Sequence, residues 1–231
     1  MKGNLQQISL LICLVVVITA GCARVGKTQT GSKQPVKVVV IGNSIVRHGP
    51  NEALGWKGDW GMAASAEEFD FVHQLASKIR SINPQAKVEG FNLADFERNY
   101  TNFEASKLDP LRDADILIFK LSENVDPALI VKQDFKGHYL RILDSVSAGK
   151  QARIILADGF WPSPVNDVVR QIAQEKNYPF VQLHDLFQDS TMTAKGLFEH
   201  QGVANHPSDK GMAAISDRIW EKVKGDFRVG R

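Results

Sequence analysis

The chain has 231 residues, 28 basic against 26 acidic side chains, and a formal charge of +2. That length suits one substantial domain with a full hydrophobic core. So even a charge balance excludes nucleic acid as the main partner, because phosphate binding needs a concentrated basic face.

In chain order, the first segment is a signal. Lys2 gives a short basic start, and residues 8–18 are apolar apart from Ser9. The run is too short to cross a bilayer comfortably and fits a signal-peptide core better than a transmembrane helix. It leads into Thr19-Ala20-Gly21-Cys22, which resembles a bacterial lipobox, with Thr19 where such signals usually carry Leu. The resemblance implies a signal peptide over 1–21, cleavage before Cys22, and lipid on that cysteine. It also implies a location in the bacterial cell envelope, with the membrane engaged through the lipid anchor alone. Ala23 stands where Asp would suggest inner-membrane retention, which favours the outer membrane. Residues 22–35, rich in Gly, Ser, Thr and Gln, read as a flexible tether. Cys13 and Cys22 are the two cysteines, so the body from 36 to 231, read as a single domain, has no disulfide and no thiol nucleophile.

The body alternates strands and helices. Residues 36–41 form a β-branched, nearly continuous apolar run, as a strand covered on both faces would. A long loop over 42–66 follows. A helix then carries Phe69, Val72, Leu75, Ile79 and Ile82 at helical spacing and stops before Asn83-Pro84. Residues 86–92, 115–121, 153–157 and 179–183 read as four more strands. Asp126-Pro127 reads as an N-cap with proline at the first helical position. It opens a helix with Val131, Phe135, Tyr139, Ile142 and Val146 on one side, closed at Ala148-Gly149. Ser163-Pro164 caps another, and a last helix follows Pro207. Five strands alternating with helices imply an α/β fold: a three-layer α/β/α sandwich around a mostly parallel five-stranded sheet. Ligands in such sheets bind beyond the carboxyl ends of the strands.

Three segments lie at that edge. Gly42-Asn43-Ser44-Ile45 follows strand one, and a serine on such a turn exposes its hydroxyl. Ser122-Glu123-Asn124 follows strand three, where an amide can serve as an oxyanion donor. Asn205-His206-Pro207-Ser208-Asp209-Lys210-Gly211 precedes the last helix, and its proline and capping serine hold the imidazole on a defined corner. Taken alone, the first segment reads better as an ordinary strand-to-loop turn, the second equally well as a capping or turn asparagine, and a lone loop histidine is more often incidental than catalytic.

Together, in this order, they resemble the conserved blocks of the SGNH (GDSL-like) hydrolases across about residues 36–223. Asn43 replaces the usual Asp, Ser122 a glycine, and Val203 the Asp that often precedes the histidine by three residues. The resemblance implies an SGNH/flavodoxin-like fold and acyl transfer at a serine. Ser44 is then the nucleophile and His206 the general base. The N–H groups of Ser44 and Ala94 and the Asn124 amide form the oxyanion hole. No metal or cofactor is required. With no carboxylate at 203, either a backbone carbonyl orients His206, giving a Ser–His dyad, or Glu199, Asp185 or Asp209 does; the dyad is favoured.

The loop over 48–62 carries Trp56 and Trp60, and Trp161 follows strand four. Tryptophan faces stack on sugar rings, so an O-acylated carbohydrate is the expected substrate, with Asn43, Trp56, Trp60 and Trp161 as candidate contacts. One or more of these tryptophans pinning its own loop is an equal reading. Acyl-lipid or thioester hydrolysis would use the same groups. The altered blocks also fit a glycan-binding protein without turnover. The sequence does not fix the oligomeric state.

Overall fold

A computed structural model describes residues 36–147 and 149–227. The readings made for the signal peptide, Cys22, the tether and Ala148 lie outside those residues.

The described residues form five strands: β1 (Lys37–Gly42), β2 (Lys87–Asn92), β3 (Ile116–Lys120), β4 (Arg153–Ala157) and β5 (Phe180–Val181). All pair in parallel, in the order β2-β1-β3-β4-β5. The helices are α1 (Phe71–Ile82), α2 (Ala94–Asn99), α3 (Phe135–Ser147), α4 (Pro164–Lys176), α5 (Gln201–Ala204) and α6 (Asp209–Phe227). Short 3-10 turns lie between these elements, the longest at Ala105–Leu111.

The two-residue period of a strand sends alternate side chains to opposite faces. Val38 and Val40 of β1, with Ile116 and Ile118 of β3, pack against Phe71, Leu75 and Ile79 of α1 and Ile215 and Ile219 of α6. Val39, Ile41, Leu117 and Phe119 pack on the other face against Phe96, Leu108, Tyr139 and Val169. The sheet is therefore covered on both sides, as its unbroken apolar strands require. Each fully buried Leu, Ile or Phe contributes about 1.5–3 kcal/mol relative to exposure.

Several boundaries follow from local chemistry. Asp70 caps α1 by accepting from the His73 N–H at 2.7 Å, which leaves Phe69 outside the helix and 46% exposed. Ser163 caps α4 with Pro164 in its first turn, as the sequence predicts. The expected helix opening at Asp126-Pro127 is corrected. Asp126 instead accepts from the Ala128 N–H in a local turn, and α3 starts only at Phe135. Asp134, in the left-handed region at φ 48°, interrupts the helical path. Val131, assigned to the buried side, is 89% exposed, whereas Phe135, Tyr139, Ile142 and Val146 are buried.

The strand order reverses direction between β1 and β3, which opens a crevice beyond their carboxyl ends. Gly42 ends β1 at that point. A Cβ there would meet Val46 Cγ2 at 2.4 Å and the Lys120 carbonyl oxygen at 2.8 Å, so only glycine lets the chain turn beside β3. No helix among the described residues is long and apolar enough to cross a membrane.

Candidate active site

Ser44 is half-buried on the turn after β1, between the buried Asn43 and Ile45. Its Oγ lies 2.8 Å from His206 Nε2. His206 stands between α5 and α6, and its Nδ1 lies 2.7 Å from the Gly202 carbonyl oxygen. A carbonyl only accepts, so Nδ1 carries the proton and Nε2 presents its lone pair to Ser44. The one-turn helix α5 supplies that carbonyl for a simple reason. Helix C-termini leave carbonyls without intrahelical partners. The His206 N–H bonds to Val203 instead, leaving Gly202 O for the ring.

The three carboxylates weighed for this role are engaged elsewhere or exposed. Asp185 pairs with Arg218 through contacts of 2.6 and 2.8 Å, which holds its carboxyl down at about 2. Asp209 accepts from the Ser65 N–H and hydroxyl at 2.8 and 2.6 Å, and Glu199 is exposed. Burial, opposed by the Gly202 hydrogen bond, lowers the His206 imidazole to about 4. The ring is thus neutral over the ordinary pH range. Trp161 meets it edge-to-face, with centroids 5.3 Å apart, and donates its Nε1–H to the Asn205 carbonyl at 3.1 Å.

Of the expected oxyanion donors, the Ser44 N–H has no acceptor among the described residues. Asn124 donates through Nδ2 to Glu97 at 2.5 Å while its Oδ1 accepts from Arg98 at 3.3 Å. That orientation leaves a second Nδ2–H uncommitted. Ala94 is corrected. Its N–H donates to Asn92 Oδ1 at 2.9 Å, and the residue is buried at the start of α2.

Two proposed substrate contacts are also corrected. Asn43 is fully buried, and its Nδ2 donates to Glu97 (3.1 Å to either oxygen) and to Glu123 (2.7 Å). Trp56 is 3% exposed, donates to the His48 carbonyl, and packs with Trp60 and Phe198, so it pins its loop. Trp60 and Trp161 are half-buried. Beside Val46, a cleft of about 490 Å³ is lined by Arg47, Asp59, Trp60, Glu89 and Phe91.

Sequence reasoning missed the buried polar group under the Ser44 turn. Glu97, Lys120 and Glu123 have essentially no exposed side chain, and Lys120 pairs with Glu123. Burial, then the neighbouring Glu123 charge, pushes the Glu97 carboxyl up to about 7, against the pull of Asn124 and Asn43. The signal was present. Glu97 takes the inward i+4 position in Leu93, Phe96, Glu97, Tyr100, and Lys120 interrupts an otherwise apolar strand.

No family model and no curated protein matches the sequence. Among solved structures, the chain is similar to a two-domain esterase active on acetylated mannans (16% identity, TM-score 0.55). The match covers 85% of this chain, which spans about half of that protein (50%). It is also similar to an acetyl xylan esterase (14% identity, TM-score 0.52), with 81% of this chain and 100% of the other covered. A salicylyl-acyltransferase from a tetracycline biosynthetic pathway matches at 13% identity and TM-score 0.55, over 86% of this chain and 56% of its own. The all-parallel five-stranded sheet with helices around it agrees with these likenesses, and the chain has an SGNH/GDSL hydrolase-like fold.

Proposed function

We propose that the protein is a serine ester hydrolase that removes acyl groups, acetyl foremost, from the hydroxyls of a carbohydrate. The observation that carries this reading is the 2.8 Å contact of Ser44 Oγ with His206 Nε2, in a ring whose other nitrogen is fixed by Gly202. Ser44 attacks the ester carbonyl carbon as its proton passes to Nε2. The oxygen of the tetrahedral intermediate takes hydrogen bonds from the Ser44 N–H and Asn124 Nδ2. His206 then returns the proton to the departing sugar oxygen, leaving an acyl-Ser44 ester. Water attacks that ester with His206 again as base, releasing the acid and restoring Ser44.

The carbohydrate assignment is supported by Trp161, which packs edge-to-face on the His206 ring. Likeness in fold to esterases acting on acetylated mannans and xylans points the same way. Lipidation at Cys22 would hold the enzyme on the cell envelope.

The test is acetate release from acetylated manno- and xylo-oligosaccharides, with a fluorophosphonate probe to mark the nucleophile. Expected are acetate release and an adduct on Ser44. Labelling with cleavage of long-chain acyl esters but no glycan deacetylation would move the assignment to acyl-lipids. Saturable glycan binding with no label would make the chain a binding protein.

The pH profile follows from His206. The base acts only when neutral, so kcat/KM falls as pH drops through the free-enzyme pKa. The acid limb is expected near pH 4, with a plateau from about pH 5, rather than near the unperturbed histidine value of about 6.5. An acid limb near 6.5 would contradict the burial of the ring.

A further inference from the structure

Three chain segments build the crevice: the Ser44 turn after β1, the segment after β3, and the turn after β4 that carries Trp161. One side chain joins all three. Glu123 Oε2 accepts from Asn43 Nδ2 at 2.7 Å, and Asn43 adjoins the nucleophile. Its Oε1 accepts from the Phe160 N–H at 2.9 Å, and Phe160 adjoins Trp161, the residue packed on His206. The same carboxylate pairs with Lys120, the last residue of β3, and both side chains are wholly buried.

We propose that Glu123, its charge balanced by Lys120, is a positioning residue that sets the Ser44–His206 geometry by tying the nucleophile turn to the turn that braces the imidazole. The inference rests on the Ser–His reading of the site. Simple hydrophobic packing would stabilise this region more cheaply, since burying an ion pair is often neutral or costly compared with apolar residues of similar volume. What apolar residues cannot do is accept two directed hydrogen bonds from separate turns. Asn43 strengthens the point: each of its two amide hydrogens meets a different acid, Glu97 or Glu123, so its backbone beside Ser44 is held from two sides. The Trp161 turn is fixed again from behind. Asn166 accepts from the Gly159 N–H at 3.0 Å and from the Ser122 hydroxyl at 2.9 Å, and donates to the Trp161 carbonyl at 2.9 Å.

The decisive variant is the charge-neutral pair Lys120→Met with Glu123→Gln. Glutamine keeps the length and an acceptor for Phe160, but its amide turns donor against donor at Asn43. In the full chain, with p-nitrophenyl acetate, kcat is expected to fall about 10–100-fold with KM within about threefold, since misplacement near 1 Å costs that much. The rate of fluorophosphonate labelling at Ser44 should fall in parallel. Leu108→Ala, buried in the packing on the other face of the sheet, should lower the melting temperature while leaving kcat within twofold. Glu123→Asp, which keeps the charge but cannot span both partners, should fall between wild type and the double variant.

A folded double variant with native kcat and labelling rate would overturn the positioning role while leaving the Ser–His reading intact. If the double variant does not fold, Glu123→Asp decides by the same readings. A wild type that neither turns over nor labels, matching Ser44→Ala, would bring down the underlying reading and this inference with it.

Discussion

Ser44→Ala and His206→Ala are each expected to lower kcat/KM for p-nitrophenyl acetate by roughly 10⁴–10⁶-fold, with melting temperatures close to wild type. The size follows from the unit the two side chains form. Without the Ser44 hydroxyl there is no nucleophile. Without the imidazole the hydroxyl keeps its proton, and a serine at its free pKa is a poor nucleophile. Because they act together, the double variant should be no worse than either single one, and the residual rate should come from the oxyanion donors. On the proposed reading, the Ser44–His206 pair is not simply a triad missing its acid. Much of the roughly 10⁴-fold cost of replacing a triad Asp by Asn comes from the wrong tautomer. Here the Gly202 carbonyl enforces the right one, with Nδ1 protonated at 2.7 Å. What it does not supply is a full negative charge opposite the imidazolium, so the native rate should sit below that of a complete triad. Parallel rate measurements and thermal melts check this. A Ser44→Ala protein that keeps more than a few per cent of wild-type turnover would remove Ser44 from the mechanism.

How far the sequence carried the site depends on whether each residue acts through the local chain or through distant partners. The meeting of Ser44 and His206 was legible because each is fixed by its own segment. A β-branched run ending in glycine places Ser44, and the proline and serine after His206 place the ring. The central sheet was legible for a related reason: strands covered on both faces must be apolar throughout, and residues 36–41 and 115–121 are nearly so. The donors were harder to read. Whether a backbone N–H is free depends on where a neighbouring side chain turns, and Asn92 takes the Ala94 N–H by a local bond that spacing does not reveal. Asn43 looked like a weakened family motif from sequence. In the fold it has a physical reason, for an aspartate there would set a third carboxylate against Glu97 and Glu123, where an amide can donate to both. α2 escaped notice because one of its inward positions holds a glutamate, which blurs the apolar stripe. The helix assigned from Asp126 failed for the opposite reason: a good capping sequence was satisfied in a tight turn instead.

Val203→Asp is expected to destabilise the protein rather than complete a triad. From sequence, position 203 is where an acid would be sought, three residues before the histidine. In the structure the Val203 side chain is fully buried and packs with Trp56, Met62, Ala63 and Ala194. An aspartate there loses the apolar burial and gains an uncompensated charge, a cost of roughly 3–5 kcal/mol. In a domain of this size, at about 2–4 °C per kcal/mol, the melting temperature should fall by roughly 10 °C or more. Activity measured well below that temperature should not rise, since Nδ1 already has its acceptor in the adjoining Gly202 carbonyl. The acid limb of the pH profile supplies an independent check. A carboxylate that reached the imidazole would favour its charged form and move the limb upward from about 4, and the unreachable one expected here leaves it in place. Undiminished stability, higher kcat and an upward-shifted limb together would show that residue 203 faces His206 after all. The valine therefore fits the proposed dyad: with the Gly202 carbonyl as acceptor for Nδ1, the position three residues before His206 is free to pack under the tryptophan-bearing loop.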